Sequence, residues 1–171
     1  VNPDAMGNAW FVDEVRCVDT PREESDALNA MDFSKQAVTD KKFSSMVLEP
    51  NTFSGEIALL SYAPDRLVYS SSCEGEKTAV FSDIYYPYGW KAYIDGAPVE
   101  HFRVNYVLRA LNVPAGEHEI MFEFRPDSIY KGFKVNALFR YIMYTLIISL
   151  IVASVLRELG KGPKWLRDWG A

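Results

Sequence analysis

The chain has 171 residues, of which 49% are hydrophobic and 14% aromatic, and it carries a formal net charge of −5. This length and composition are enough for one domain with a hydrophobic core and a small attachment. Residues 1–130 hold 11 Lys and Arg against 21 Asp and Glu, whereas residues 131–171 hold 7 against 2. Because nucleic acid is bound by a basic face that displaces counterions, the acidic first part excludes a nucleic-acid partner.

The start of the sequence and its cysteines leave alternatives open. Val1 is followed by no signal-peptide pattern, which indicates either a removed leader or a segment of a longer protein. The two cysteines, Cys17 and Cys73, are 56 positions apart and lack metal-ligand spacing. They form either a disulfide or two ordinary thiols, and the redox compartment does not follow from them.

The first forty residues differ in pattern from the rest. Ala9–Val18 alternates apolar and polar residues as a strand does. Thr20, followed by a proline and a glutamate three positions on, predicts a helix start, and we expect the helix to reach about Met31. Lys35–Asp40 then predicts a second strand. Residues 1–42 are therefore predicted to form a strand-helix-strand unit, either a small lobe or an extra layer on the main domain.

The middle of the chain, residues 43–130, is predicted to consist of short strands. The clearest is His118–Phe124, in which Ile120, Phe122 and Phe124 share one face while glutamates point away. Further candidate strands are Ile57–Tyr62, Arg66–Ser71, Thr78–Tyr86 and Val104–Val113. Short strands separated by Gly, Pro, Asn and Asp predict a mainly β fold, an antiparallel β-sandwich of jelly-roll-like form.

Two turns are predicted from residue type. Asp95-Gly96 is a favoured pair for a type I′ turn, in which both residues have positive φ. Pro98 follows and cannot donate to a ladder, so the returning strand is expected at an edge or a bulge. Pro114 and Gly116 fit a hairpin loop before the clearest strand.

The stretch YPYGWKAYIDG, from Tyr86 to Gly96, concentrates aromatic residues. Trp90 falls on the apolar face of a predicted strand, which favours a core anchor over a platform for a ligand. Three tyrosines of the stretch, Tyr86, Tyr88 and Tyr93, are candidates for stacking on a sugar ring. Asp95 is assigned to the turn rather than to catalysis.

Candidates for chemistry are few. His101 and His118 are the only histidines, and neither has cysteines or carboxylates at ligand spacing. The sequence contains no nucleophile, phosphate-binding or dinucleotide-binding motif. Carboxylate pairs such as Glu117 and Glu119 fit the solvated edge of a turn better than an acid–base pair. We therefore predict no catalytic residue, no metal ligand and no cofactor.

The apolar run Leu138–Leu156 contains one charge, Arg140, and is long enough for the hydrocarbon layer of a bilayer. Tyr141 and Tyr144 suit the membrane interface. The alternative, a buried helix, requires a large soluble core. We predict a transmembrane helix over residues 131–157.

The flanking charges predict an orientation. Four basic residues follow the apolar run, whereas three, Lys131, Lys134 and Arg140, lie before it or near its first end, which favours a cytoplasmic C-terminus. Residues 158–171 are then a cytoplasmic tail, lying along the membrane interface or disordered, and residues 1–130 are extracytoplasmic. The acidic charge of the first part agrees with this orientation, because anionic cytoplasmic lipid does not attract it.

The stretches YYPYGWKAYIDG and NYVLRALNVPAGEHEIMFEFRP, followed by a single apolar span, resemble the C-terminal end of the bacterial membrane protein YfhO family. The resemblance covers roughly residues 80–156, and Tyr88 departs from the pattern as an extra residue between Pro and Gly. The positions that match the family pattern are Tyr85, Tyr86, Pro87, Gly89, Trp90, Asp95, Gly96, Asn105, Tyr106, Arg109, Ala110, Pro114, Gly116 and His118.

The resemblance implies a function for the whole protein. Family members are large polytopic proteins that resemble C-type glycosyltransferases, which use lipid-phosphate-linked sugars outside the membrane, and some are implicated in adding sugars to cell-envelope polymers. Their expected catalytic carboxylate lies in an early loop that this chain does not contain. The chain is then a non-catalytic extracytoplasmic domain and anchor, whose partners are the bilayer, the N-terminal membrane portion of the same protein and an envelope glycan. A carbohydrate-binding module and a structural lid or assembly domain are the alternatives.

Overall fold

The computed structural model describes residues 5–159, and the chain divides between Pro126 and Asp127 into two units. The first unit holds the strands β1 (Ala9–Val12), β2 (Glu14–Val18), β3 (Gln36–Asp40), β4 (Gly55–Ala63), β5 (Arg66–Cys73), β6 (Lys77–Ile84), β7 (Trp90–Ile94), β8 (Ala97–Val99), β9 (Phe102–Val104), β10 (Leu108–Val113) and β11 (Gly116–Phe124). The helices are α1 (Pro21–Ala27) and α2 (Asp127–Glu158), and Lys41–Met46 is a short 3₁₀ helix.

Two antiparallel sheets form the main part of the first unit. One has the strand order β4-β5-β11-β7-β8 and the other β1-β6-β10-β9. The prediction of an antiparallel β-sandwich is confirmed. Alternation along β11 buries Ile120 and Phe122 between the sheets, where Phe122 meets Phe81 with ring centroids 4.8 Å apart. Aromatic contacts of this kind add about 0.5–1.5 kcal/mol each to the burial of apolar area.

The N-terminal strand-helix-strand unit is formed by β2, α1 and β3, and its two strands pair in parallel. The hydroxyl of Thr20 accepts a hydrogen bond from the backbone N–H of Glu23 and caps α1 as predicted. Two details were wrong. The helix ends at Ala27 rather than near Met31, and the strand predicted over Ala9–Val18 is two strands in different sheets. The break is at Asp13, where pairing with β6 ends and the backbone N–H groups of Asp13 and Glu14 donate to the carbonyl of Lys35 instead.

Three turns were predicted or missed from the sequence, and only one of them passes between the sheets. Asp95 and Gly96 have φ values of 51° and 79°, and they join β7 to β8, an edge strand, as predicted. The strand predicted over Val104–Val113 is confirmed from Leu108 onward, but its start is wrong, because Asn105 and Tyr106 have positive φ and form a turn between β9 and β10. The hairpin predicted at residues 114–116 is also wrong, since β10 and β11 belong to different sheets.

The second unit is α2. Its segment Lys131–Glu158 is 28 residues long and apolar enough to cross a membrane. Nearly all of the side chains described in this segment are exposed. The chain therefore has the feature expected of a membrane-associated protein, and the orientation of the helix stays a prediction. The predicted tail lies outside the described residues from position 160 onward.

Candidate functional site

Arg109 occupies the centre of a polar cluster inside the sandwich. Its guanidinium carbon lies 4.4 Å from the ring centroid of Trp90 and 4.5 Å from that of Phe122. One guanidinium nitrogen is 3.4 Å from the carboxylate of Asp83, which also accepts a hydrogen bond from the hydroxyl of Tyr69 at 3.3 Å. By strand alternation Arg109 lies on the same face of β10 as Leu111 and Val113, which are buried in the core.

The charge of this cluster is enclosed by aromatic rings. Arg109 is 1% exposed, and within residues 5–159 its Nε and Nη1 atoms have no hydrogen-bond partner. Burial lowers the pKa of Arg109, yet an arginine stays charged in a protein. Burial, together with the charge of Asp83, raises the pKa of Tyr69. The Trp90 and Phe122 rings therefore take the place of oxygen acceptors for part of the guanidinium.

A groove of about 570 Å³ lies beside this cluster. It is lined by residues of β7, β8, the 3₁₀ helix and the segments 85–87 and 100–101. The side chains that give it a mixed aromatic and charged lining are Lys42, Tyr85, Trp90, Tyr93, Glu100 and His101. Burial lowers the pKa of His101 to about 4, and the charge of Arg109 contributes. His101 is therefore neutral at physiological pH, and among the described residues its Nε2 has no hydrogen-bond partner.

The three tyrosines predicted to stack on sugar are not in one place. Tyr93 lines the groove, whereas Tyr86 and Tyr88 lie in the loop between β6 and β7, with ring centroids 5.9 Å apart. Tyr86 stacks against Phe124 at 6.4 Å, and a methyl group at Gly89 would overlap both of these rings. The glycine of the YPYG stretch is thus required for the ring packing of that loop.

The Asn-Tyr pair of the family pattern joins the N-terminal unit to the sandwich. The side-chain oxygen of Asn105 accepts from the backbone N–H of Val38, and the backbone N–H of Asn105 donates to the carbonyl of Val38. Glu24 is fully buried, accepts from the backbone N–H of Tyr106 at 2.8 Å and pairs with Arg103 at 2.7 Å. These contacts explain why the turn between β9 and β10 tolerates positive φ at two residues other than glycine.

Asp95 and His118 form an ion pair that their separation in sequence does not indicate. Nδ1 of His118 donates to Asp95 at 2.6 Å, and Nε2 donates to the carbonyl of Ala115 at 3.2 Å. The hydrogen bond to Asp95 raises the pKa of His118 and lowers that of Asp95. Asp95 also accepts from the backbone N–H of Glu119. Its position in the type I′ turn and these contacts together give it a structural role.

Pro114 and Gly116, which also belong to the pattern, have contacts or backbone angles that explain them structurally. Pro114 offers its carbonyl to the buried thiol of Cys73 at 2.9 Å, and Gly116 has φ of 114°, which favours glycine. Cys17 is exposed and Cys73 is buried, and both are free thiols. The disulfide alternative is therefore not realised.

Within residues 5–159 there is no group of three or more His, Cys, Asp and Glu residues that could hold a metal ion. No family model, curated protein or solved structure matches this chain. The resemblance to the YfhO family thus stays a prediction that rests on the motif residues. What the structure adds is their position: Trp90 and Arg109 stack together, and the other motif residues described above hold turns.

Sequence reasoning missed two partners of the motif residues. Asp83 neutralises part of the charge of Arg109, and Glu24 supports the turn at Asn105 from another element. Each carboxylate comes from a distant part of the chain, so spacing gave no signal. A clue was present for Asp83, because an arginine in an otherwise apolar strand requires a buried partner. Chemically, the groove is suited to binding a polar ring compound between aromatic side chains.

Proposed function

We propose that this chain is the non-catalytic extracytoplasmic β-sandwich and the membrane anchor of a YfhO-like polytopic membrane protein. One observation carries the proposal: the sandwich continues, directly after β11 ends at Phe124, into a helix long and apolar enough to cross a membrane. A sandwich attached in this way is held at the membrane surface. The whole protein is proposed to transfer sugars to cell-envelope polymers, with this domain positioning a substrate or the membrane-embedded part.

The contacts of the motif residues support an architectural role. Arg109 stacks on Trp90, Asn105 binds the N-terminal unit, and Asp95 holds a turn through His118. Each of these interactions stabilises the domain without requiring a substrate. A family pattern concentrated on such residues is expected of a domain whose shape is needed, rather than of a catalytic centre.

Cysteine labelling tests the location of the domain. Cys17 is exposed while Cys73 is buried, so Cys17 is the reactive thiol of the sandwich. In the full-length protein, with every cysteine outside residues 1–171 replaced by serine, a membrane-impermeant maleimide should label Cys17 in intact cells. Partial desolvation raises the pKa of the Cys17 thiol. Because the thiolate is the form that reacts, labelling is carried out at about pH 8.

The matched control places a cysteine beyond the helix. Leu159→Cys in a Cys17→Ser background should react only after the cells are permeabilised, because Leu159 is exposed and follows the span. Labelling of Leu159→Cys in intact cells, with Cys17 protected, would reverse the proposed orientation. The positioning role requires that deletion of residues 43–130 abolishes sugar transfer by a protein that still inserts. Retained transfer contradicts it.

Carbohydrate binding is the second candidate, and the groove beside Trp90 favours it. Tyr85, Trp90 and Tyr93 provide aromatic faces, and Lys42 and Glu100 provide hydrogen-bonding groups at the same groove. Sugar sites combine aromatic surfaces with a few polar groups that fix orientation. This site differs from the one predicted from the sequence, since of the three candidate tyrosines it contains Tyr93 alone.

Calorimetric titration of the whole chain in detergent micelles with oligosaccharides of hexoses and N-acetylhexosamines tests this candidate. Tyr93→Ala should weaken binding, because Tyr93 lines the groove. Tyr88→Ala serves as the matched control, since Tyr88 is 78% exposed and does not line the groove. Absence of heat with every sugar, or equal loss in both variants, counts against a sugar site in the groove.

A further inference from the structure

The two ends of the β-sandwich differ in chemistry. Three loops meet at one end, which we term the exit end because the chain leaves the sandwich there: residues 64–65, 85–89 and 105–107. Three others form the opposite end: residues 74–76, 95–96 and 114–115. The exit-end loops contain Tyr85, Tyr86, Tyr88 and Tyr106 and a single carboxylate, Asp65, whereas the opposite loops contain Glu74, Glu76 and Asp95 and no aromatic residue.

The exit end is a preformed surface. Phe124 at the end of β11 donates its backbone N–H to Asp65, and the backbone N–H of Arg125 donates to Gly89 at 2.7 Å. The backbone N–H of Tyr85 donates to Val107 at 2.8 Å, which links the second and third loops. The three loops are therefore joined to the exit strand and to one another by backbone hydrogen bonds. Tyr86 and Tyr88 project from this framework and are 47% and 78% exposed.

Tyr106 is kept at this end in spite of its backbone conformation. Its φ is 71°, a value at which glycine is favoured and an aromatic residue is strained by about 1–2 kcal/mol. Its ring is 44% exposed, so burial in the core does not compensate for the strain. The backbone N–H of Tyr106 donates to Glu24, which supports this conformation, and its ring lies 5.6 Å from the guanidinium carbon of Arg103. The exposed part of the ring is available for an interaction outside the sandwich.

The position of α2 in the chain identifies the partner. The helix begins at Asp127, so at most about 11 Å of chain separates its first residue from Phe124 at the exit end. Tyrosine is enriched where a membrane meets water, because its ring is apolar and its hydroxyl is polar. Carboxylates are repelled by anionic lipid, and the opposite-end loops contain three of them, Glu74, Glu76 and Asp95, against one, Asp65, in the exit-end loops.

We propose that the exit end of the sandwich lies against the lipid headgroups, with Tyr86, Tyr88 and Tyr106 inserted at the membrane interface. The inference rests on the proposed function in one respect, that α2 crosses the membrane. It adds a second attachment, which fixes the orientation of the domain relative to the bilayer. The opposite end, with Glu74, Glu76 and Asp95, then faces away from the membrane.

Depth measurements on the whole chain in phosphatidylcholine vesicles test the proposal. In a Cys17→Ser background, an environment-sensitive fluorophore is attached to Tyr88→Cys, to Ala115→Cys at the opposite end, or to Ile147→Cys within the apolar helix. The label at position 88 should emit at shorter wavelength and be quenched by lipids that carry a nitroxide near the headgroup. The label at position 115 should show neither effect.

The label at position 147 separates the two hypotheses. If it is quenched by deeply placed nitroxides while the label at 88 is as exposed to water as that at 115, the anchor stands and the membrane contact is overturned. If the label at 147 is also in water, the anchor fails, and the inference fails with it.

A pair of variants tests the tyrosines themselves. Tyr86→Ser combined with Tyr106→Ser should reduce quenching of the label at position 88. Phe53→Ser is the matched control, because Phe53 is 47% exposed, as Tyr86 is, and packs beside Gly75 at the opposite end. Quenching that persists in the tyrosine variant, or that falls equally in the control, overturns the role assigned to these rings.

Discussion

The guanidinium carbon of Arg109 lies 4.4 Å from the ring centroid of Trp90, inside a sandwich whose other core residues are mainly apolar. The ring centroid of Phe122 lies 4.5 Å from the same carbon, and Asp83 meets one of the guanidinium nitrogens. A planar, weakly hydrated guanidinium stacks on aromatic rings, whereas a compact, strongly hydrated ammonium does not. Arginine is thus required at this position for its shape as well as for its charge.

Substitution of Arg109 tests this requirement. Arg109→Lys should lower the free energy of unfolding by roughly 2 kcal/mol, because the ammonium loses the stacking and is more costly to bury. Arg109→Met should cost less, since a thioether packs on aromatic rings and no charge remains buried. Urea titration in detergent micelles, followed by near-UV circular dichroism, measures both. A lysine variant as stable as the parent would contradict the assignment.

The neutral state of His101 gives a dependence on pH. Burial lowers the pKa of His101 from 6.5 to about 4, whereas an unfolded histidine keeps the ordinary value. Above pH 6.5 His101 is neutral in both the folded and the unfolded chain, so its titration does not change the free energy of unfolding. As pH falls from 6.5 toward 4 the unfolded state binds a proton that the folded state does not, so stability falls, by at most about 1.4 kcal/mol per pH unit.

The variant His101→Phe removes this effect and keeps the ring contacts with Tyr85 and Phe122, whose centroids lie 5.3 Å and 5.9 Å from that of His101. Its stability should decline less between pH 6.5 and 4 than that of the parent chain. Thermal unfolding at several pH values measures the difference. Parallel curves for the two proteins would show that another group controls the acid sensitivity.

The sequence allowed the sandwich, the edge strand after Pro98 and the turn at Asp95-Gly96 to be predicted, because alternation and turn chemistry are local signals. The turn at Asn105 and Tyr106 was missed because its support is not local. Glu24 and Val38, far apart in sequence, stabilise a conformation that the residues Asn-Tyr do not themselves favour. Tertiary contacts overrode local propensity there.

The sugar-stacking site was predicted from density of aromatics in one stretch, and the structure separates its members. Tyr86 and Tyr88 precede β7 in a loop, while Tyr93 lies within the strand and lines the groove. The groove also requires Lys42 and His101, which come from elements far apart in the chain. Convergence of distant elements depends on strand order, which a single sequence does not specify.

The pair of Asp95 and His118 gives a second dependence on pH, opposite in direction to that of His101. The hydrogen bond to Asp95 raises the pKa of His118 above 6.5, and it lowers the pKa of Asp95 below 3.8. The stabilisation from His118 is complete below pH 6.5, where the histidine is protonated in both the folded and the unfolded chain. It is lost as pH rises through the raised pKa of the folded chain. Acidification through the lowered pKa of Asp95 also removes it.

Asp95→Asn isolates this contribution, because asparagine tolerates positive φ and still accepts from the backbone N–H of Glu119. The parent should exceed the variant in stability most clearly between the two pKa values, and less at alkaline pH. Glu117→Gln is the matched control, since it removes a nearby exposed carboxylate that His118 does not contact. A difference that does not vary with pH would exclude the ion pair as its cause.

The positive φ at Tyr106 predicts that glycine is more stabilising than alanine at this position, the reverse of the usual order. Alanine normally gives a more stable chain than glycine, but at a φ of 71° the Cβ atom itself is unfavourable. Tyr106→Gly should therefore be more stable to unfolding than Tyr106→Ala by about 1 kcal/mol. Both lose the ring contact with Arg103, at 5.6 Å, so that loss cancels in the comparison.

The same two variants separate stability from membrane contact. Both remove the exposed ring, so both should weaken quenching of a fluorophore at position 88 in vesicles to a similar degree, although their unfolding free energies differ. Asn105→Ala is the contrasting substitution, because it removes the acceptor for the backbone N–H of Val38 and should destabilise the domain by about 1–3 kcal/mol. Quenching that followed stability across the three variants, rather than presence of the Tyr106 ring, would mean that the ring contributes no contact of its own.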